Sequence, residues 1–290
     1  MPAPATRRVD PRLGKAQEIT LTAADGVPIV ATYHPAEQMP GATGGPGAIL
    51  PADPAGRAAP SVVVAHGFTG SSRSPAVRRI TDRLAEHDLS VLALDFRGHG
   101  RSGGRSTAGD LEVQDLAAAV AHLREQGHDR IAVLGWSMGG SVVLRYAGLG
   151  GDADAVVSVS SPATWFERGT RSMRVVHWLC ETRSGRLTCR IARRTRLAPD
   201  AWAVVPHAPV EVVGNIAPIP LLMIHGSDDH YFPVRHAHAL AAAAPTADAW
   251  IETGMGHAET GTQPELVDRI ARWVRAAVAA PEVCDDGPRD

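Results

Sequence analysis

From Ser61 onward the chain repeats one pattern: a short apolar run rich in β-branched residues, then a stretch with helical periodicity. The runs are SVVVAHGF, LSVLALDF, RIAVLGWS and AVVSVSS, and IPLLMIHGS and ADAWIETG supply two more strands. Helices are predicted near residues 75–87, 110–126 and 138–148, and PELVDRIARWVRAAVAA reads as a final one. Strands this apolar have no polar side to turn toward water. Both faces must be covered, and parallel strands with helices on either side achieve that. The expected fold class is therefore α/β, a doubly wound, mostly parallel sheet. With 290 residues, 44% of them hydrophobic, the chain can bury a sizeable core as one domain.

The flanking segments differ in kind. QEITLTAADGVPIVATYHP alternates apolar and polar residues on both sides of Asp25-Gly26, which predicts a hairpin. AEQMPGATGGPGAILPADPAGRAAP is rich in Pro, Gly and Ala and reads as a long surface loop. Residues 1–16 are expected to be a disordered arm, 17–280 the folded domain, and 281–290 a frayed tail. A net charge of -2 excludes a nucleic-acid partner bound through a basic surface. Cys180, Cys189 and Cys284 form no CxxC pair and read as free thiols. No run has the length of a membrane span and the N-terminus lacks the apolar core of a signal peptide, so a cytoplasmic location is expected.

In VLGWSMGGSVVL, residues 133–144, a serine sits between small residues where a strand pattern gives way to a helix. This is the context of a G-x-S-x-G elbow, formed by Gly135, Trp136, Ser137, Met138 and Gly139. Small residues two before and two after let strand and helix approach, which leaves Ser137 exposed at a strained turn. The plain alternative is a Gly-rich turn with a capping serine. A nucleophilic serine needs a base, and the base needs an acid to orient it. Asp228 and Asp229 follow the run IPLLMIHG, and His257 follows ADAWIETG. Parallel sheets bring the carboxyl ends of their strands to one edge, so Ser137, one of these aspartates and His257 are expected to converge.

Together VVVAHGFTGS, LALDFRGHGRSGG, GWSMGG, LLMIHGSDDHYFP and GMGHAE resemble the α/β-hydrolase superfamily, in its lipase, esterase and serine-aminopeptidase-like branch. The resemblance runs from about residue 61 to 260 in the superfamily's order. It implies Ser137 as nucleophile, His257 as base and Asp229 as acid. Asp229 is preferred to Asp228 because the spacing from His225-Gly226 and to Pro233 matches the superfamily's loop. It also implies an oxyanion hole made by the Phe68 and Met138 amides. Trp136, beside the nucleophile, is expected to wall the acyl pocket, with a packed core indole as the alternative. His66 and His99 read as structural. HGSDDHYFPVRHAH is not expected to bind metal, because His236 and His238, two apart, do not share a helix face.

Residues 164–208 interrupt the alternation where such hydrolases insert a cap. Nine arginines fall between Arg168 and Arg196 against few acids. They would raise a positive field at the pocket mouth if the cap overhangs it. The plainer expectation is a solvent-facing helical cap whose apolar contacts are Leu179, Leu187, Ile191 and Leu197. The resulting functional expectation is a serine hydrolase, foremost a carboxylic ester hydrolase acting on a small-molecule acyl substrate without cofactor. Thioester hydrolysis or acyl transfer is the near alternative, with peptidase, perhydrolase and non-catalytic ligand-binding roles behind it. Aspartate at the elbow would have pointed to epoxide hydrolases or dehalogenases, so Ser137 argues against both.

Overall fold

The computed structural model describes residues 16–36 and 59–279. The expected arm and tail, and most of the expected long loop, lie outside those residues. Strands β1 (Gln17–Thr22) and β2 (Pro28–His34) form the hairpin around Asp25-Gly26, with Gly26 at φ +84°. The alternation then follows as β3 (Ser61–Ala65), α1 (Pro75–Ala85), β4 (Ser90–Leu94), α2 (Glu112–Glu125), β5 (Ile131–Trp136), α3 (Met138–Gly148) and β6 (Ala155–Val159). An insertion carries α4 (Arg171–Glu181) and α5 (Arg183–Ala192), and the short α6 (Pro209–Val212) leads back to the sheet. There the chain closes with β7 (Leu221–Gly226), α7 (Arg235–Ala243), β8 (Asp248–Glu252), α8 (Ala258–Gly261) and α9 (Pro264–Ala277).

The sheet has eight strands in the order β1-β2-β4-β3-β5-β6-β7-β8. The pairs β1/β2 and β2/β4 are antiparallel and every other pair is parallel. The chain leaves β3 for β4 on one side and returns to β5 on the other. That reversal opens a crevice beyond the carboxyl ends of β3 and β5, the place where doubly wound sheets bind ligands.

Side-chain parity sorts the core into two layers. Ile131 and Val133 of β5 pack with Leu116 and Leu123 of α2 and Val142 and Val143 of α3. Ala132, Leu134 and Trp136 face the other way, onto Val77, Ile80 and Leu84 of α1 and Ile270 and Val274 of α9. Each fully buried Val, Leu or Ile contributes about 1.5–3 kcal/mol. Both α1 and α9 open with proline at the first turn, where a missing N–H costs nothing.

In the insertion, Thr170 and Thr182 cap α4 and α5 by accepting from Met173 N–H at 3.2 Å and Gly185 N–H at 2.9 Å. Leu197 is buried and Leu179 half-buried, as a cap contact requires. Leu187 and Ile191 are not contacts: they stand 57% and 72% exposed. The inward stripe of α5 is Gly185 and Cys189, one turn apart, so residues 187 and 191 fall about 200° round the helix from them. The pairing of small residues lets α5 approach the backbone of Trp178 and Leu179 closely. Cys180 and Cys189 are free, and Cys284 lies outside the described residues. Burial, with Cys189 nearby, pushes the Cys180 thiol up to about 12. Among the described residues no helix is long and apolar enough to cross a membrane.

Candidate active site

The turn from β5 into α3 is as tight as its sequence demands. A Cβ on Gly135 would overlap the carbonyl of Gly139, and one on Gly139 would overlap that of Ala65. Ser137, between them, has φ +53° and ψ -116°, a conformation L-residues rarely adopt. Thr69, Ser160 and Ala258 also have positive φ, at 63°, 53° and 52°. All four follow strands β3, β5, β6 and β8 at the sheet's carboxyl edge. Half of the eight non-glycine residues with positive φ among the described residues thus lie at this edge, where surrounding packing holds them in place.

Three strand ends deliver the groups expected there. His257 Nε2 lies 2.9 Å from Ser137 Oγ, and His257 Nδ1 lies 2.7 Å from Asp229 Oδ2. Asp229 Oδ1 accepts from the N–H groups of Tyr231 at 2.8 Å and Phe232 at 3.0 Å. Burial opposes ionisation of Asp229, but the His257 ring and those two amides outweigh it and hold the carboxyl below its ordinary value. The adjacent Asp228 is exposed and accepts from Ser227 Oγ at 2.8 Å, so the structure brings Asp229 and not Asp228 to the histidine.

Ser137 also borders two unoccupied donors. The N–H groups of Phe68, just after β3, and Met138, at the N-terminus of α3, have no acceptor among the described residues. The loop that carries Phe68 is fastened by two buried histidines. His66 Nε2 accepts from Phe96 N–H at 3.1 Å, so its proton is on Nδ1, which donates to Gly67 O at 2.8 Å. His99 Nε2 accepts from Thr69 N–H at 3.2 Å while its Nδ1 donates to Arg97 O at 3.0 Å. Burial, with the His66 ring beside it, pushes His99 down to about 3, which keeps it neutral in this bracing role. His66 and His99 are thus structural, as expected.

Trp136 is not a pocket wall. It is fully buried in the layer under α1 and α9, and its Nε1 donates to Thr262 Oγ1 at 3.0 Å. Its place follows from parity: the side chains of residues 132, 134 and 136 share the sheet face opposite α3. The aromatic groups near the site lie elsewhere. A Cβ on Gly109 would be 3.3 Å from the Trp165 ring and 3.9 Å from Met138 Cγ, so Gly109 lies between that indole and the residue after Ser137. Trp202 packs against Trp165 at 5.3 Å between centroids. The Gly109 loop is held by the buried Glu112 carboxylate, which accepts from Ser106 Oγ, Thr107 Oγ1 and the N–H groups of Thr107 and Gly109. Tyr231 stacks on His257 at 4.3 Å. Sequence reasoning missed Trp165 and Tyr231, although Tyr231 stands two residues after Asp229 in HGSDDHYFP.

His236 has a different duty. Its Nδ1 accepts from Ala163 N–H at 3.0 Å, and its Nε2 donates to Glu167 Oε2 at 2.9 Å, tying α7 to the start of the insertion. His238 is exposed. Of the cap arginines, Arg168 pairs with Glu181 and Arg186 donates to Cys180 O, while Arg171, Arg183, Arg190, Arg193 and Arg194 are exposed.

Comparison with known proteins gives the family. The family described as serine aminopeptidase, S33, matches residues 56–208, just over half of the chain and including the elbow. An uncharacterized protein, YfhR, of Escherichia coli O157:H7 is 27% identical over 237 residues, covering 79% of this chain and 68% of that protein. A monoacylglycerol lipase of Mycolicibacterium smegmatis is 26% identical over 254 residues, covering 73% of this chain and 87% of its own. The esterase Pf2001 of Pyrococcus furiosus superposes with a TM-score of 0.69 at 22% identity, covering 91% of this chain and 92% of its own, which shows a common fold. The family match stops before β7 and β8, so Asp229 and His257 join the elbow through geometry alone. With its doubly wound sheet, its serine elbow and this match, the chain belongs to the serine aminopeptidase S33 family of α/β-hydrolases and is an enzyme of the serine-hydrolase type.

Proposed function

We propose that the protein hydrolyses small carboxylic esters through an acyl-enzyme on Ser137. The observation that carries this reading is the unbroken hydrogen-bonded line from Asp229 through His257 to Ser137, at the ends of three different strands. Ser137 Oγ attacks the ester carbonyl carbon and gives its proton to His257 Nε2. The carbonyl oxygen becomes an oxyanion beside the Phe68 and Met138 amides, donors preorganised and unoccupied, whose aim supplies several kcal/mol in such sites. Collapse breaks the bond to the alkoxide, which leaves with the proton from His257. Water then repeats the sequence on the acyl-enzyme and frees the acid and Ser137. Throughout, Asp229 keeps the proton of the neutral ring on Nδ1 and stabilises the imidazolium.

A fluorophosphonate probe, with parent and Ser137→Ala side by side, tests the nucleophile. The parent should lose fluoride from the probe and become phosphonylated once, while the variant stays unlabelled at unchanged Tm. Turnover of matched ester and thioester series then separates the two leaving-atom chemistries. Ester turnover by Ser137→Ala with the parent's profile would end the proposal.

A further inference from the structure

The proposed oxyanion donor, the Phe68 N–H, sits on a surface loop, and its aim must be fixed before substrate arrives for it to act as a preorganised group. Because a trans peptide is planar, the Phe68 N–H points opposite to the Gly67 C=O. That carbonyl accepts from His66 Nδ1–H at 2.8 Å and from Gly70 N–H at 2.9 Å, which sets the direction of the peptide plane. Direction alone leaves the plane free to slide. Its location is set by the neighbouring Gly67 N–H, which donates to Glu259 Oε1 at 2.6 Å, a short, charge-assisted bond across 192 residues of sequence.

Glu259 comes two residues after His257. Between them Ala258 takes φ +52° and its N–H donates to Ser160 Oγ at 3.1 Å, so this turn is itself anchored to the end of β6. The geometry around Gly67 is close: a Cβ there would lie 3.3 Å from both carboxylate oxygens of Glu259 and 3.3 Å from Ser137 Cβ. The carboxylate and the nucleophile thus flank the same glycine. One turn of chain presents the imidazole to Ser137 and the carboxylate to the loop that holds the oxyanion donor.

We propose that Glu259 is a positioning residue for the oxyanion hole: by clamping the Gly67 amide to the His257 turn it holds the Phe68 N–H in register with the triad. This rests on the ester-hydrolase reading above and adds to it a mechanical link between base and oxyanion donor. The function assigned to the carboxylate is its hydrogen bond. Its charge, close to a developing oxyanion, contributes nothing favourable to that step.

Three substitutions separate bond from charge. Glu259→Gln keeps length and an acceptor oxygen but removes the charge. Glu259→Asp keeps the charge but falls one methylene short of Gly67, and Glu259→Ala removes both. The proposal expects Gln within about threefold of the parent in kcat, with Asp and Ala both lower by about 10- to 100-fold and KM little changed, the signature of a loss confined to the transition state. Affinity for a boronic acid that forms a tetrahedral adduct on Ser137 should fall in step with kcat. The second-order rate of fluorophosphonate labelling should follow the same order of variants. Labelling needs Ser137 and the hole but no ester turnover, so it reads the clamp even if every ester in the series fails as a substrate. Tm is measured for all four proteins. Asp close to the parent with Gln impaired would overturn the proposal in favour of a role for charge. All three close to the parent, or losses that follow Tm while boronic acid affinity stays constant, would reduce Glu259 to a structural residue.

Discussion

Replacing Asp229 with Asn is a sharp test of the triad because the backbone dictates which way the new amide faces. Oδ1 accepts from the Tyr231 and Phe232 N–H groups, and Oδ2 faces His257 Nδ1 at 2.7 Å. An asparagine must turn its carbonyl oxygen to the two backbone donors, since its NH2 has no lone pair for them. The NH2 then points at Nδ1 and can only donate. Nδ1 becomes an acceptor, the ring proton moves to Nε2, and the nitrogen 2.9 Å from Ser137 Oγ has no lone pair left to receive the serine proton. The same tautomer switch in chymotrypsin-type triads lowers kcat by about 10⁴. At about 1.36 kcal/mol per tenfold, that is about 5.4 kcal/mol of transition-state stabilisation. Asparagine keeps the volume and both loop bonds, so Tm should change little. Asp228→Asn alters an exposed group whose partner is Ser227 and should stay within about threefold of the parent. The assay is kcat and kcat/KM on the best ester across about pH 5 to 9, the span over which a histidine base is read, with Tm as the folding control. Asp229→Asn within tenfold of the parent, or a larger loss from Asp228→Asn, would refute the assignment.

Trp165→Ala should open space across Gly109 from Met138 and raise kcat/KM for long acyl chains relative to short ones by about tenfold, the scale set by one or two methylenes in an apolar pocket; a chain-length series checks it. Trp136→Phe removes the bond to Thr262 and some core volume, at a cost of about 1–3 kcal/mol in thermal or denaturant melts, and leaves the acyl-length profile unchanged. Asp268 binds Arg83 through both oxygens and His87 through one, tying α9 to α1. The Arg83 fork, partly opposed by burial and helped by His87, holds Asp268 down to about 2, below its ordinary value of 3.8. A depressed carboxylate stabilises the fold above the unfolded value, and that contribution disappears as pH falls through the folded one. Asp268→Asn should therefore lower Tm at neutral pH, and the difference should close between about pH 4 and pH 2 in a melt series.

What could be read in the sequence depended on how local its physical cause was. The elbow was legible because Gly135 and Gly139 are needed where a strand meets its own helix, and the partners of Ser137 because parallel strands share a carboxyl edge. Trp136 was misplaced for a related reason. A strand buried on both faces has no polar alternation, so IAVLGW does not announce which residues face α3 and which face α9. The elbow did hold a clue: α3 must return across the sheet face that Ile131 and Val133 occupy, which sends residue 136 to the opposite side. Leu187 and Ile191 were misread because apolar periodicity locates a stripe without saying that it is buried, and on α5 the small pair Gly185 and Cys189 packs inward instead. Glu259 was beyond local patterning altogether. Its partner is a backbone N–H, which every residue except proline possesses, and only tertiary structure selects the one at Gly67. His66 and His99 also hold backbone and were legible as structural histidines, yet which amide each receives, Phe96 N–H for the one and Thr69 N–H for the other, is decided only by the folded chain.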